Sequence, residues 1–205
     1  MKQSRERLEK PAVFLDRDGT MIEEVGYIDH PDKVRILPGT IEALQIFREM
    51  DWWVLVVSNQ SGVARGLFPE ERVTAVNRRL QQLLQQKGVA VDGFYYCPHH
   101  PRAKVDVYRK DCDCRKPRPG LLKQAMRDFP VKPSQSIIVG DRYSDVEAGK
   151  LLGLFAILVL TGYGVDEFIR FRNDSARTQP DLVVANLREA AIFLRDRFCS
   201  RKPRR

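Results

Sequence analysis

Six short apolar runs, separated by segments patterned as helices, constrain this chain more than any other feature. Ala12 to Leu15, Trp53 to Val57, Gly93 to Tyr96, Gln135 to Val139, Phe155 to Leu160 and Leu182 to Val184 read as strands. Helical patterns fill the gaps. One opens at Pro38-Gly39-Thr40 with Thr40 as N-cap and an apolar face of Ile41, Leu44, Phe47 and Met50. Others run from Pro69 to about Lys87 before Gly88, from Pro119 to Phe129, from Ser144 to Leu152 and from Leu187 to Phe198. Strands alternating with helices predict an α/β protein, a Rossmann-like doubly wound parallel sheet with right-handed crossovers. With 205 residues, one such domain carrying a small insertion is expected. Its expected span is 11–198, with basic tails at 1–10 and 199–205.

In a parallel sheet the carboxyl ends of the strands share one edge, and the ends here carry chemistry. The first strand runs into Asp16-Arg17-Asp18-Gly19-Thr20, the second into Ser58-Asn59-Gln60-Ser61-Gly62, and the fourth into Gly140-Asp141. Two carboxylates one residue apart repel unless a cation or shared proton lies between them. The pair suits Mg²⁺ together with one nucleophilic and one proton-shuttling acid; an Asp-rich turn accepting backbone N–H groups is the plainer alternative. Lys116, just before a helix, adds a fixed cation. A nucleophile, an acid/base, a hydroxyl, a cation and a metal ligand are the parts of phosphoryl transfer.

Three of the four cysteines cluster, in Cys97-Pro98-His99-His100 and Cys112-Asp113-Cys114. Three thiolates and one imidazole make a closed tetrahedral Zn²⁺ set, structural rather than catalytic, within a loop at about 97–116. That loop, rich in Pro, Lys and Arg, has little apolar content to order itself, so a metal would supply the order. Unmetallated thiols or one disulfide are the alternatives, and spacing does not choose between His99 and His100. Cys199 reads as a free thiol and His30 as a loop residue.

The net charge of +8 raises the question of nucleic acid. Residues 1–10 carry +2 and residues 195–205 carry +5, leaving the body at +1. Tails of this kind hold polyanions weakly and specify nothing, so nucleic acid is not the expected partner. No apolar run approaches the ~20 residues of a membrane span, and MKQSRERLEK lacks the apolar core of a secretory signal. A cytoplasmic monomer without membrane association is expected.

The ordered series LDRDGT, VVSNQSG, CRKPRPG and IIVGDRYSD resembles the four signatures of the haloacid dehalogenase-type (HAD) phosphatases. Within that superfamily, EEVGYIDHP and SNQSGVARGLF resemble the heptose bisphosphate 7-phosphatases; the histidinol-phosphate phosphatases share much of the pattern. The resemblance implies Asp16 as nucleophile, Asp18 as general acid/base, and Ser58 and Lys116 as stabilisers of the transferring phosphoryl group. It implies Mg²⁺ on the Asp16 and Asp141 carboxylates and the Asp18 carbonyl, and Zn²⁺ on Cys97, His99, Cys112 and Cys114. It further implies contacts to a small phosphosugar from Glu24, Val25, Gly26 and Tyr27, from Ser58, Asn59, Gln60 and Ser61, and from Arg115, Lys116 and Arg142. Asp145 completes a Gly-Asp-X-X-X-Asp pattern and reads either as a support behind the metal or as a helix N-terminal acid. About 40 residues separate the first two signatures. That leaves no room for a large cap domain, so the 19–37 loop and the zinc loop are left to shape the pocket. A non-enzymatic, zinc-stabilised binding protein is the remote alternative.

Overall fold

The central strand is buried along its whole length, and its environment explains the rest. The computed structural model describes residues 9–199, so the expected basic tails lie largely outside the described residues. β1 (Ala12–Leu15) pairs in parallel with β2 (Trp53–Asn59) on one side and β4 (Ile137–Gly140) on the other. Beyond them lie β3 (Gly93–Cys97), β5 (Phe155–Val159) and β6 (Leu182–Val184), giving one parallel sheet in the order β3-β2-β1-β4-β5-β6. Val13 and Leu15 face a core built with α1 (Thr40–Glu49), α2 (Glu71–Gln85) and α6 (Leu187–Cys199). Ala12 and Phe14 face the opposite core, with α3 (Gly120–Asp128), α4 (Tyr143–Lys150) and α5 (Gly164–Phe171). Helices cover both faces, so an all-apolar β1 has no polar side to show. The strand order reverses beside β1, which opens a crevice at its carboxyl end.

Several boundaries differ from the sequence reading for local reasons. β2 and β3 each run on, and the ladder pairs Ser58 with Tyr96 and Asn59 with Cys97. Ser58, Asn59 and the first zinc-set cysteine are therefore strand residues on a rigid ladder. Gln135 belongs to a 3₁₀ turn, Pro133–Gln135, closed by the Ser136 amide donating to the Pro133 carbonyl; β4 begins only at Ile137. α1 is entered through Gly39 at φ +85°, and Thr40 instead donates its hydroxyl to the Met21 carbonyl at 3.1 Å. α5 was not anticipated, because Gly162 and Gly164 mark a loop in sequence while the helix they introduce is short. Lys10, counted with the N-terminal tail, bridges Val131, pairs with Asp51 at 2.7 Å and lies over the Trp53 ring. No helix among the described residues is long and apolar enough to cross a membrane.

Ser136 is buried and ties the start of β1 to the β4 approach. Its hydroxyl accepts from the Ala12 amide at 2.9 Å and donates to the Lys132 carbonyl at 2.7 Å. Ser136→Ala would leave a buried backbone donor without a partner, which costs about 1–3 kcal/mol. Urea unfolding should show that loss with little change in the denaturant slope; an unchanged midpoint would contradict it.

Candidate active site

The end of β1 holds a buried charge cluster. The Lys116 ammonium lies 2.7 Å from Asp16 Oδ1 and 2.5 Å from Asp145 Oδ1, and donates to the Val57 carbonyl at 2.6 Å. Lys116 is 4 % exposed, Asp16 7 % and Asp141 0 %. Two carboxylates and a carbonyl keep the lysine charged and raise its pKa against the opposing pull of burial. The carboxylates carry the strain of this crowding. Burial, with Asp145 and Asp18 nearby, pushes Asp16 up to about 7 despite Lys116. Burial, with Asp16 and Asp145, pushes Asp141 up to about 8.

Asp16, Asp141 and Asp145 offer oxygens within 4.8 Å of one another. Asp141 Oδ2 accepts from the Tyr163 amide at 2.8 Å, while Oδ1 is buried with no hydrogen-bond partner among the described residues. Hard oxygen donors that repel one another, one of them unsatisfied, fit a small divalent cation such as Mg²⁺. Both Asp145 oxygens are spent, one on Lys116 and one on the Arg142 amide, whereas Lys116 takes only Oδ1 of Asp16, which leaves Asp16 and Asp141 as the pair able to share such an ion. Gly19 and Gly162, at φ +78° and +54°, close around Asp141; a Cβ on either would run into its carboxylate. Asp145 stands at the N-terminus of α4, as one of the two readings from sequence has it. Its Oδ2 accepts from the Arg142 amide at the start of α4, and its other oxygen faces Lys116.

Asp18 turns away from this cluster. Arg17, itself 1 % exposed, grips it through Nη2 at 2.9 Å and reaches Asn77 of α2 through Nη1 at 2.7 Å. Gln60 Nε2 lies 2.8 Å from Asp18 and 2.7 Å from Ser58 Oγ, linking the two strand ends. An arginine between two aspartates looks solvated in sequence, and only the α2 contact reveals its burial.

A cavity of about 350 Å³ opens over these groups. Its lining includes Asp16, Asp18, Glu24, Gly26, Tyr27, Ser58, Asn59, Gln60, Ser61, Arg115, Lys116 and Arg142, as expected, together with Arg65, Asp145 and Tyr163, which were not. Val25 does not line it and is half exposed. The chain turns at Gly26, φ +81°, with the Tyr27 amide donating to the Val25 carbonyl at 3.2 Å, and Val25 stands on the outside of that turn. Asn59 lines the cavity, yet its amide is spent on the chain itself: it donates to the Lys116 carbonyl at 3.0 Å and accepts from the Lys116 amide at 3.1 Å. It is better described as a clamp on Lys116 than as a substrate contact. Burial raises Glu24, whose carboxylate accepts from the Gly26 amide. Arg142 stacks 3.8 Å over the Tyr163 ring. His30 caps a 3₁₀ turn in the 19–37 loop, far from catalytic duty.

Beside the cavity, Cys97, His99, Cys112 and Cys114 face a common point. Their sulfurs are 3.0, 3.1 and 3.5 Å apart, and His99 Nδ1 lies 3.4 Å from Cys114 and 3.8 Å from Cys97. These spacings are far longer than a disulfide bond; the S···N separations match the ~3.5 Å edge of a Zn–S/N tetrahedron, and the sulfurs are drawn in closer than its ~3.8 Å S···S edge. Zinc fits the set. His100 is excluded from it, because its Nδ1 accepts from the Arg102 amide instead. The knot is tied into the active site: the Cys97 carbonyl accepts from the Gln60 amide at 2.8 Å, and Arg115 donates to the His99 carbonyl. Glu70 joins the insertion to β3 by accepting from both Tyr96 and Tyr108.

A D-glycero-beta-D-manno-heptose-1,7-bisphosphate 7-phosphatase from Photorhabdus laumondii is 39% identical over 178 residues, covering 86% of this chain and 91% of that protein. The chain belongs to that phosphatase family. The Pasteurella multocida member is 43% identical over 159 residues, covering 77% of this chain and 86% of its own. A HAD-hydrolase-like family model matches residues 113–190. The B. bronchiseptica D,D-heptose 1,7-bisphosphate phosphatase, solved with magnesium and phosphate, superposes with a TM-score of 0.80 at 30% identity. That match covers 93% of this chain and 99% of the other. The heptose bisphosphate 7-phosphatases thus share with this chain the HAD-like α/β fold expected from the strand-end signatures.

Two outcomes follow for the metals. Without a divalent cation, the unfolded chain loses the Asp141 proton near the usual 3.8 while the folded chain keeps it to about 8. Folded-state proton retention of this kind makes stability fall as pH rises from about 4 to 8. Mg²⁺ requires the ionised pair, so it should raise the melting temperature more at pH 8 than at pH 6; the reverse order would contradict the assignment. Zinc should be present at about one per chain by elemental analysis. Its verified removal should weaken inhibition by inorganic phosphate while Mg²⁺ affinity persists. Undiminished phosphate binding in zinc-free protein would separate the knot from the site.

Proposed function

We propose that this chain is a Mg²⁺-dependent phosphatase that removes the 7-phosphate from D-glycero-D-manno-heptose 1,7-bisphosphate. The reaction runs through an aspartyl-phosphate and feeds nucleotide-activated heptose synthesis for surface glycans. It takes this small phosphosugar as a cytoplasmic monomer, with one domain spanning 11–198. The observation that carries the reading is the end of β1, where a carboxylate aimed into a polar cavity is held by a buried lysine in a chain of this family.

Asp16 is the nucleophile. Fixed by Lys116, its carboxylate attacks phosphorus in line while the sugar oxygen leaves. Ser58 meets the equatorial phosphoryl oxygens with its hydroxyl and Lys116 with the charge it holds beside Asp16, where preorganised electrostatics contribute most to phosphoryl transfer. Asp18 gives its proton to the leaving sugar oxygen and then takes one from the water that hydrolyses the acyl phosphate. Arg17 and Gln60 hold Asp18 in place for both steps, and Gln60 keeps it in register with Ser58. The Asp16 and Asp141 carboxylates, with the Asp18 carbonyl, would hold Mg²⁺, which when bound offsets repulsion between carboxylate and phosphate dianion. Glu24, Gly26, Tyr27, Ser61, Arg115 and Arg142 surround the sugar.

Asp16→Asn should lower kcat by at least about 10⁴-fold with the fold intact by circular dichroism, and Asp18→Asn by roughly 10²–10⁴-fold. Robust turnover by Asp16→Ala would end the reading. Phosphate release over heptose bisphosphate anomers, histidinol phosphate and hexose bisphosphates tests the substrate. Preference for histidinol phosphate would replace the sugar while leaving the chemistry in place.

A further inference from the structure

Helix α2 buries one face, and that face reads Val73, Val76, Asn77, Leu80 and Leu84. All but Asn77 are apolar, at the three- and four-residue spacing of a core stripe. Asparagine is a poor helix former, and a leucine here would continue the stripe. Instead the Asn77 side-chain oxygen accepts from Arg17 Nη1 at 2.7 Å. Both residues are buried, so this bond lies inside the protein. Among the described residues Nη1 has no other acceptor.

The opposite edge of the same guanidinium meets Asp18. Nη2 lies 2.9 Å from Oδ2 and 3.1 Å from Oδ1, and Nε lies 3.2 and 3.3 Å from the same two oxygens. One planar group is therefore held on two sides, by α2 through Asn77 and by the loop after β1 through Asp18. The backbone beneath it is fixed as well, because the Arg17 carbonyl accepts from the Met21 and Ile22 amides at 2.9 and 3.1 Å. Gln60 restrains Asp18 from the β2 side at 2.8 Å. Arg17 and Gln60 thus set the plane of the Asp18 carboxyl. Arg17 takes its own orientation from Asn77, since a guanidinium turns about its last bonds unless its far N–H is tied down. No residue of α2 lines the cavity that Asp18 faces.

We propose that Asn77 is a positioning residue for proton transfer: through Arg17 it aims the Asp18 carboxyl at the ester oxygen of the leaving group. This rests on the phosphatase reading above and extends it to a helix outside the cavity. In the first half-reaction the bond from Asp16 to phosphorus forms and the bond from phosphorus to the ester oxygen breaks. The departing oxygen takes the Asp18 proton. An alkoxide leaves badly without that proton, whereas a nitrophenolate leaves well without it. A misaimed Asp18 therefore costs rate on an alkyl phosphate and little on p-nitrophenyl phosphate.

The test compares wild type, Asn77→Leu and Asn77→Asp on heptose 1,7-bisphosphate and on p-nitrophenyl phosphate. It reads kcat/KM, which reports the steps up to formation of the aspartyl-phosphate. Asn77→Leu should lower kcat/KM on the heptose ester by about 10- to 100-fold, the scale on which a misplaced catalytic group loses rate. The loss on p-nitrophenyl phosphate should be much smaller. Asn77→Asp keeps an oxygen for Arg17 and should recover most of the heptose rate. In an Asp18→Asn background, Asn77→Leu should add little, because the two changes remove one function. Equal losses on both esters in a variant folded by circular dichroism, no loss on either, or full additivity with Asp18→Asn would overturn the proposal. Should Asn77→Leu fail to fold, Asn77→Ala is read in its place. If wild type hydrolyses the aryl ester but no heptose ester, the assigned sugar fails and the same ratio is read on fructose 1,6-bisphosphate. Hydrolysis of no ester by wild type would overturn the phosphatase reading and this proposal with it.

Discussion

One buried ammonium organises this molecule's working end. Lys116 sits between Asp16 and Asp145 with its third direction taken by the Val57 carbonyl. Charges so deep are costly unless each finds a partner, and a single missing partner leaves the others stranded. Three sheet-edge segments therefore depend on each other: the end of β1, the end of β2 and the start of α4. Asn59 completes the arrangement by clamping the Lys116 backbone from both sides of its peptide groups. Burial and mutual repulsion push Asp16 up to about 7 and Asp141 up to about 8, so a divalent cation that binds the pair must displace protons from it.

The insertion after β3 is the second constraint. It has no apolar core of its own, and its order comes from the cysteine and histidine knot, from Glu70 bonded to two tyrosines, and from the Ala64 carbonyl. Each of these anchors lands next to a cavity residue. Cys97 is adjacent in the ladder to Asn59 and bonds Gln60, Cys114 precedes Arg115, and Ala64 precedes Arg65. A metal knot can thus set the placement of cations that it never touches. Where other proteins use a separate domain to close over a substrate, this chain has a short stapled loop and the 19–37 segment.

Much of this was legible in the chain. Parallel-sheet strands buried on both faces must be continuous apolar runs, so β1, β2, β4 and β5 announced themselves. The aspartates, the Ser58 segment and Lys116 stood where such strands end, and the Cys-X-His and Cys-X-Cys spacing carried its own geometry. α5 was hidden by its flanking glycines, and the start of α1 was misassigned because Gly39 in a left-handed conformation did the work credited to Thr40. Asn59 and Val25 looked alike as pocket residues; hydrogen bonding took one for structure and the turn at Gly26 left the other outside.

By itself the sequence determined the element order, the doubly wound sheet and the set of reactive groups at its edge, because periodicity and strand-end position are local properties of a chain. Tertiary structure alone decided the pairings. Arg17 became a buried brace between Asp18 and Asn77, His99 rather than His100 met the sulfurs, Asp145 joined Lys116, and Arg65 has no carboxylate partner among the described residues. The residues in each of these contacts come from segments far apart along the chain, or differ only in which way a side chain turns. The packing of helices against the sheet fixes both, and no linear pattern records them.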